Sequence, residues 1–184
     1  MTNWTKYVAE NTSAMAAIDE RLIYDFYKVL DRARKEGGKV WVLGNGGSAS
    51  TAAHTVGDFG KTSKAMGARP LMTLAPSEMT ALQTAYSNDE SFSTAFSSIL
   101  ADFGEAKDVV WIISVSGRSP NLLSAHRQAK ANGLTVLSTV GKSGSVLASD
   151  SDVGIVIDSE DYQVVENVQL TLMHWLTKLL SNNS

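Results

Sequence analysis

Cysteine is absent from the 184-residue chain, which excludes disulfides and thiol chemistry and leaves histidine and carboxylate to ligate any transition metal. Histidine is itself scarce, with only His54, His126 and His174. An excess of basic charge is missing too. Sixteen Lys and Arg stand against 19 Asp and Glu, scattered rather than blocked, for a net charge of −3, so the footprint of a nucleic-acid binder is lacking. No run approaches the ~18 apolar residues that a membrane span needs. The polar start MTNWTKYVAENTS has no charged-then-apolar pattern of a secretory signal. The expectations are a cytoplasmic protein with neither membrane nor nucleic acid as partner, and one domain over 1–184.

Five short runs rich in β-branched residues read as strands: KVWVLG (39–44), ARPLMTLA (68–75), DVVWIISVS (108–116), LTVLSTVG (134–141) and DVGIVID (152–158). Helical segments separate them at 48–60, 77–86, 90–103, 119–131, 144–149 and 160–181. This alternation predicts an α/β fold with a parallel sheet covered on both faces. Upstream of the 37–184 core, residues 2–36 read as a helical prefix within the segment 1–36. Ile18, Leu22, Ile23, Phe26 and Leu30 fall at helical spacing there, and Glu36-Gly37-Gly38 ends it. The prefix either packs over the sheet or bundles with a second subunit alongside the C-terminal helix.

Between the first strand and its helix runs Gly44-Asn45-Gly46-Gly47-Ser48. Ligands bind at such junctions because a helix N-terminus offers unpaired N–H groups and partial positive charge, and glycine lets the backbone approach an anion. No lysine completes a Walker loop, which excludes a P-loop NTPase. Gly44, Gly46 and Ala49 match the dinucleotide fingerprint, but the acid it needs about 20 residues on is absent, and a tight turn without ligand remains the other reading. The third strand ends in ISVSGRSPN, placing Ser114, Ser116 and Ser119 around Gly117 at the same sheet edge. Serine-rich turns also serve as caps, but two such loops together point to a small phosphorylated ligand.

His54 and Asp58, one helical turn apart, share a face, either as a surface pair or as a reactive one. On the last helix, Glu166 and His174 lie eight positions apart and so about 80° around the axis; they either share a cleft or stand as a solvated carboxylate and a histidine at a core edge. His54, Asp58, Glu166 and His174 form the candidate metal set, two histidines with two carboxylates.

GNGGSASTAAH (44–54), SND (87–89), ISVSGRS (113–119), TVGK (139–142) and VENVQLTLMH (165–174) together resemble the sugar isomerase (SIS) domain of the phosphoheptose isomerase family, over essentially the whole chain. The resemblance implies a three-layer α/β/α sandwich on a five-stranded parallel sheet of the flavodoxin/Rossmann-like kind. It also implies a homotetramer with active sites at subunit interfaces, and isomerisation of sedoheptulose 7-phosphate to a heptose 7-phosphate through an enediol. By position, Asn45, Gly46, Gly47, Ser48, Ser114, Ser116 and Ser119 match the loops that bind sugar and phosphate, and Asp89 matches a sugar-contacting aspartate. His54 and His174 match ligands of one zinc ion per site, with His174 also the catalytic histidine. Asp58 stands where the family has its catalytic, zinc-binding glutamate, and Glu166 where it has a glutamine that meets the ion and substrate.

Three departures follow. The Asp58 carboxylate is withdrawn by roughly 1.5 Å, one C–C bond. Glu166 adds a second negative charge, so that two carboxylates cancel a divalent ion and hold it tightly but less Lewis-acidic. Val115 replaces a threonine of the phosphate loop. These changes keep open a non-catalytic sugar-phosphate-binding regulator, such as the family's replication-initiator-associating members, or an isomerase of another sugar phosphate.

Overall fold

The computed structural model describes residues 3–62 and 69–182. Two helices lead, α1 (Trp4–Ala16) and α2 (Glu20–Glu36), followed by β1 (Lys39–Leu43), α3 (Gly47–Gly57), β2 (Met72–Leu74), α4 (Thr80–Asp89) and α5 (Ala95–Phe103). Then come β3 (Val109–Ser114), α6 (Pro120–Ala131), β4 (Thr135–Gly141), α7 (Ser145–Ser149), β5 (Val153–Ile157) and α8 (Tyr162–Asn182). The five strands form one parallel sheet in the order β2-β1-β3-β4-β5, so the chain winds outward both ways from β1 and β3. That pattern makes the gap between the C-terminal ends of β1 and β3 the switch point where ligands bind in open α/β sheets.

Alternation along the strands builds both layers. Val40, Val42, Val109, Trp111 and Ile113 face one side and pack with Phe26 and Leu30 of α2, Ala52 of α3 and Leu172 and Leu176 of α8. Trp41, Leu43, Val110 and Ile112 face the other and meet Phe96 and Ile99 of α5, Leu122 and Ala125 of α6 and Leu147 of α7. At the centre, the Trp111 ring lies edge-on to Phe26 and stacked on Phe59, with centroids 5.1 and 6.1 Å away. Its buried indole N–H donates to Thr139 Oγ1 at 3.1 Å, as a buried tryptophan must.

The structure corrects several boundaries. The prefix is two helices, because Asp19 caps α2, its carboxylate accepting from Arg21 N at 2.9 Å; Ile18 sits in the turn between them. α1 lies on α8, where Asn167 Nδ2 donates to Tyr7 Oη and Asn11 Oδ1 at 2.7 and 3.0 Å. The second strand is shorter than 68–75: Ala68 lies outside the described residues, and Pro70, which has no N–H to donate, precedes the paired segment that starts at Met72. The helix drawn over 48–60 changes to a π turn at Asp58–Thr62. The last helix starts at Tyr162 rather than 160, because Asp161 Oδ1 accepts from Gln163 N and Val164 N at 2.9 and 3.1 Å. Among the described residues, no helix is long and apolar enough to cross a membrane.

Candidate active site

The loops after β1 and β3 lead to opposite faces of the sheet, and between them opens a pocket of about 120 Å³. Asn45 and Ser48 line it from the first loop, Ser114, Ser116 and Ser119 from the second, and Tyr162 and Glu166 from α8. Gly46 holds the first loop in shape with φ 54 and ψ −126, a conformation that side-chain-bearing residues seldom adopt. At Gly47 the constraint is a close approach: a Cβ there would lie 2.4 Å from both Glu166 carboxylate oxygens. The Glu166 carboxylate therefore sits over the N-terminal turn of α3, where the helix dipole favours negative charge.

In the second loop Ser114 Oγ accepts from Gly117 N at 3.0 Å and Ser116 Oγ from Arg118 N at 3.3 Å. Ser119 precedes α6, with Pro120 at its first position. A residue that sequence reasoning passed over joins the two loops. Asn121, buried in the first turn of α6, exchanges amide hydrogen bonds with Asn45 at 3.0 and 2.9 Å. Its Oδ1 also accepts from Leu122 N at 3.0 Å. Tyr162 was missed as well. Neither carries a sequence signal beyond standing just after Pro120 or at a helix start.

Three of the four candidate ligands come together. His54 Nε2 lies 3.8 Å from Asp58 Oδ1, and His174 Nε2 lies 3.9 Å from Asp58 Oδ2. The imidazoles meet at a centroid distance of 5.0 Å and an interplanar angle of 75°. All three residues offer ligand atoms within 4.8 Å of one another, and both histidines are half open to solvent. Two imidazoles and a carboxylate with a side left open are the donor set of catalytic zinc sites, so the residues fit a divalent ion. Glu166 does not join this group. It lies eight residues, or ~12 Å, before His174 along α8, and helical side chains lean toward the N-terminus, which carries its carboxylate to Gly47. Asp89 ends α4 exposed, accepts from Asn88 Nδ2 at 3.0 Å, and is not among the residues lining the pocket.

Known proteins share this fold. A family model described as the SIS domain matches residues 3–141. The chain is 35% identical to the phosphoheptose isomerase of Burkholderia pseudomallei (strain 1710b) over 189 aligned positions, covering 100% of this chain and 95% of that one. With the phosphoheptose isomerase of Thermodesulfovibrio yellowstonii it shares 34% over 162 positions, covering 88% and 80%. The solved phosphoheptose isomerase of Francisella tularensis matches with a TM-score of 0.89 at 26% identity, over 100% of both chains. Fold, paired loops and full-length relatives agree, and the chain belongs to the SIS-domain phosphoheptose isomerase family.

Proposed function

We infer that this protein is an aldose–ketose isomerase that interconverts sedoheptulose 7-phosphate and D-glycero-D-manno-heptose 7-phosphate through an enediol. One observation carries the reading: Ser48 and Glu166 of the hydroxyl-lined pocket stand on the helices that also carry His54 and His174 of the His/Asp/His group. From Ser48 to His54 along α3 is ~9 Å, and from Glu166 to His174 along α8 is ~12 Å. The extended substrate from C2 to phosphorus spans on the order of 9 Å at standard bond lengths. With its phosphate among Ser114, Ser116 and Ser119, the sugar reaches the histidines with its carbonyl end.

Asp58 acts as the base. Its carboxylate takes a proton from C1 of the ketose, the C–H electrons form the C1=C2 bond, and the carbonyl electrons move to O2, which accepts a proton. O1 then gives up its proton, the carbonyl forms at C1, and C2 recovers the proton held by Asp58. His174 serves the two oxygens as acid and base, a task suited to imidazole near neutrality. Asn45 and Ser48 orient the chain between these ends. A divalent ion, zinc on this donor set and one per site, would be held by His54, Asp58 and His174 and would supply polarisation of the carbonyl. A nitrogen bonded to an ion has no lone pair for a proton, so the His174 nitrogen that would hold the ion could not at that instant move one.

The same proposal includes one SIS domain, a cytoplasmic location and a homotetramer with sites at subunit interfaces. Support for assembly comes from exposed Trp4 and Val8 on α1, Tyr24 on α2 and Trp175 on α8. Asp89, left outside its own chain's pocket, fits a shared site. The deciding experiment is turnover of sedoheptulose 7-phosphate with metal content measured on the same sample. Turnover that falls on chelation is expected. Binding without turnover would favour a sugar-phosphate-dependent regulator, the reading to which the Glu166 carboxylate in the pocket lends weight.

A further inference from the structure

On the other side of the Ser116–Ser119 loop lies a second cavity, of about 450 Å³, enclosed by that loop, α6 and α7. It shares no lining residue with the hydroxyl pocket, and its volume is in the range of small-molecule sites. Arg118 and Arg127 line it, and neither has a carboxylate partner among the described residues; Arg118 Nη2 makes a long contact of 3.4 Å with Ser143 O. Asp150, the acidic group in the wall, is already engaged. Lys130 Nζ lies 2.7 Å from its Oδ1, and His126 Nδ1 lies 3.7 Å from its Oδ2. Two guanidiniums without a carboxylate partner among the described residues thus line one concavity, and the planar fork of arginine pairs with phosphate or carboxylate oxygens two at a time.

The rest of the wall is not built for a bare anion. Leu123 and Leu147 give it an apolar side, and Val146 stands 79% exposed at α7. His126, 3% exposed, keeps Nε2 without a hydrogen-bond partner among the described residues. Such a mixture suits a ligand with an anionic end and a larger, less polar body.

The cavity also touches the substrate loop through its backbone. Gly117 has φ 61, and a Cβ on it would come within 2.5 Å of Gly144 Cα. Gly117 and Gly144 both line the cavity, so an occupant between Arg118 and α7 meets the backbone of the loop that carries Ser116 and Ser119. A ligand that binds one loop position better than another changes substrate affinity by that difference.

We propose that this cavity binds an organic phosphate of the nucleoside diphosphate class, with its phosphates on Arg118 and Arg127 and its base against Leu123, Val146 and Leu147, as an effector of the sugar-phosphate loop. The test is calorimetric titration of the full chain with ADP, in the wild type and in Arg127→Ala and Ser116→Ala variants. Arg127 is exposed and outside the isomerisation site, so its variant retains basal kcat and KM. It should bind ADP about tenfold more weakly, the loss of one charge-assisted pair, while Ser116→Ala should bind ADP as the wild type does. In the wild type, ADP should shift KM for the sugar phosphate at least twofold, and in Arg127→Ala it should not. Absence of binding at millimolar ADP overturns the proposal. So does loss of binding in Ser116→Ala with Arg127→Ala unaffected, because ADP would then occupy the substrate pocket. Inorganic phosphate binding as tightly as ADP overturns the ligand class. Titration needs no turnover, so failure of the isomerase reading leaves this test intact.

Discussion

Asp58 occupies the point where α3 gives way to a π turn, and its two oxygens divide between the two histidines. Such turns recur at functional sites because they re-aim one side chain without ending the helix. If this carboxylate is the base, Asp58→Asn lowers kcat at least 100-fold, the usual contribution of general base catalysis, and bound metal falls with it. His174→Gln should abolish isomerisation while binding of the sugar phosphate stays within about threefold, since His174 lies about 12 Å along α8 from the pocket; retained turnover would remove its assigned role. Gly47 offers a test of the pocket wall. Gly47→Ala must displace the Glu166 carboxylate, 2.4 Å from the new Cβ, and should raise KM, while adding Glu166→Ala relieves the clash. Equal KM values for Gly47→Ala and wild type would show that the carboxylate has room to move.

Elements are joined at the opposite sheet edge by Asp108, which is fully buried. Its carboxylate accepts from Lys39 N at 2.8 Å, Trp41 Nε1 at 3.0 Å and Glu105 N at 3.1 Å, and pairs with Lys39 Nζ at 3.0 Å. Asp108→Ala would strand several buried donors and a half-compensated ammonium, costing roughly 3 kcal/mol or more, as read by urea unfolding. Between α6 and α7, burial holds the His126 imidazole below its ordinary pKa of 6.5, with Asp150 pulling it up and Lys130 down. The unfolded chain thus takes a proton that the folded chain refuses. By linkage, this stability is full above pH 6.5 and declines as pH falls from 6.5 toward the depressed folded value. His126→Gln should flatten that part of the stability profile, and an unchanged slope would assign it to other groups.

At the scale of the whole molecule, the separation of pocket and histidines acts as a ruler. A ketopentose 5-phosphate is two carbons, roughly 2.5 Å, shorter than the heptulose, so its kcat/KM should fall at least tenfold; equal efficiency would show that the phosphate is not anchored among the serines. The exposed apolar residues of α1 and α8 belong to the same scale. Light scattering should give a four-chain mass, and Trp4→Asp with Trp175→Asp should reduce it. A one-chain mass in the wild type would place these side chains in solvent.

Much of this architecture was legible in one dimension. Continuous apolar runs rich in β-branched residues, KVWVL and VVWIIS, marked strands buried on both faces, and glycines and serines at their C-terminal ends marked the two loops. Where the reading slipped, local chemistry had been outweighed or overlooked: Ile18 continued a helical stripe that Asp19 interrupts by capping, and Pro70 delayed β2. Sequence by itself determined the layered α/β fold, the ligand-bearing edge of the sheet and the side chains able to hold an ion, because these depend on periodicity and residue chemistry within a few positions. Tertiary structure alone decided that Asn121 locks Asn45, that Glu166 turns to Gly47 and away from His174, and that Arg118 and Arg127 share a cavity. Each of those depends on which helix crosses which face of the sheet, a distance relation between residues that no local pattern records.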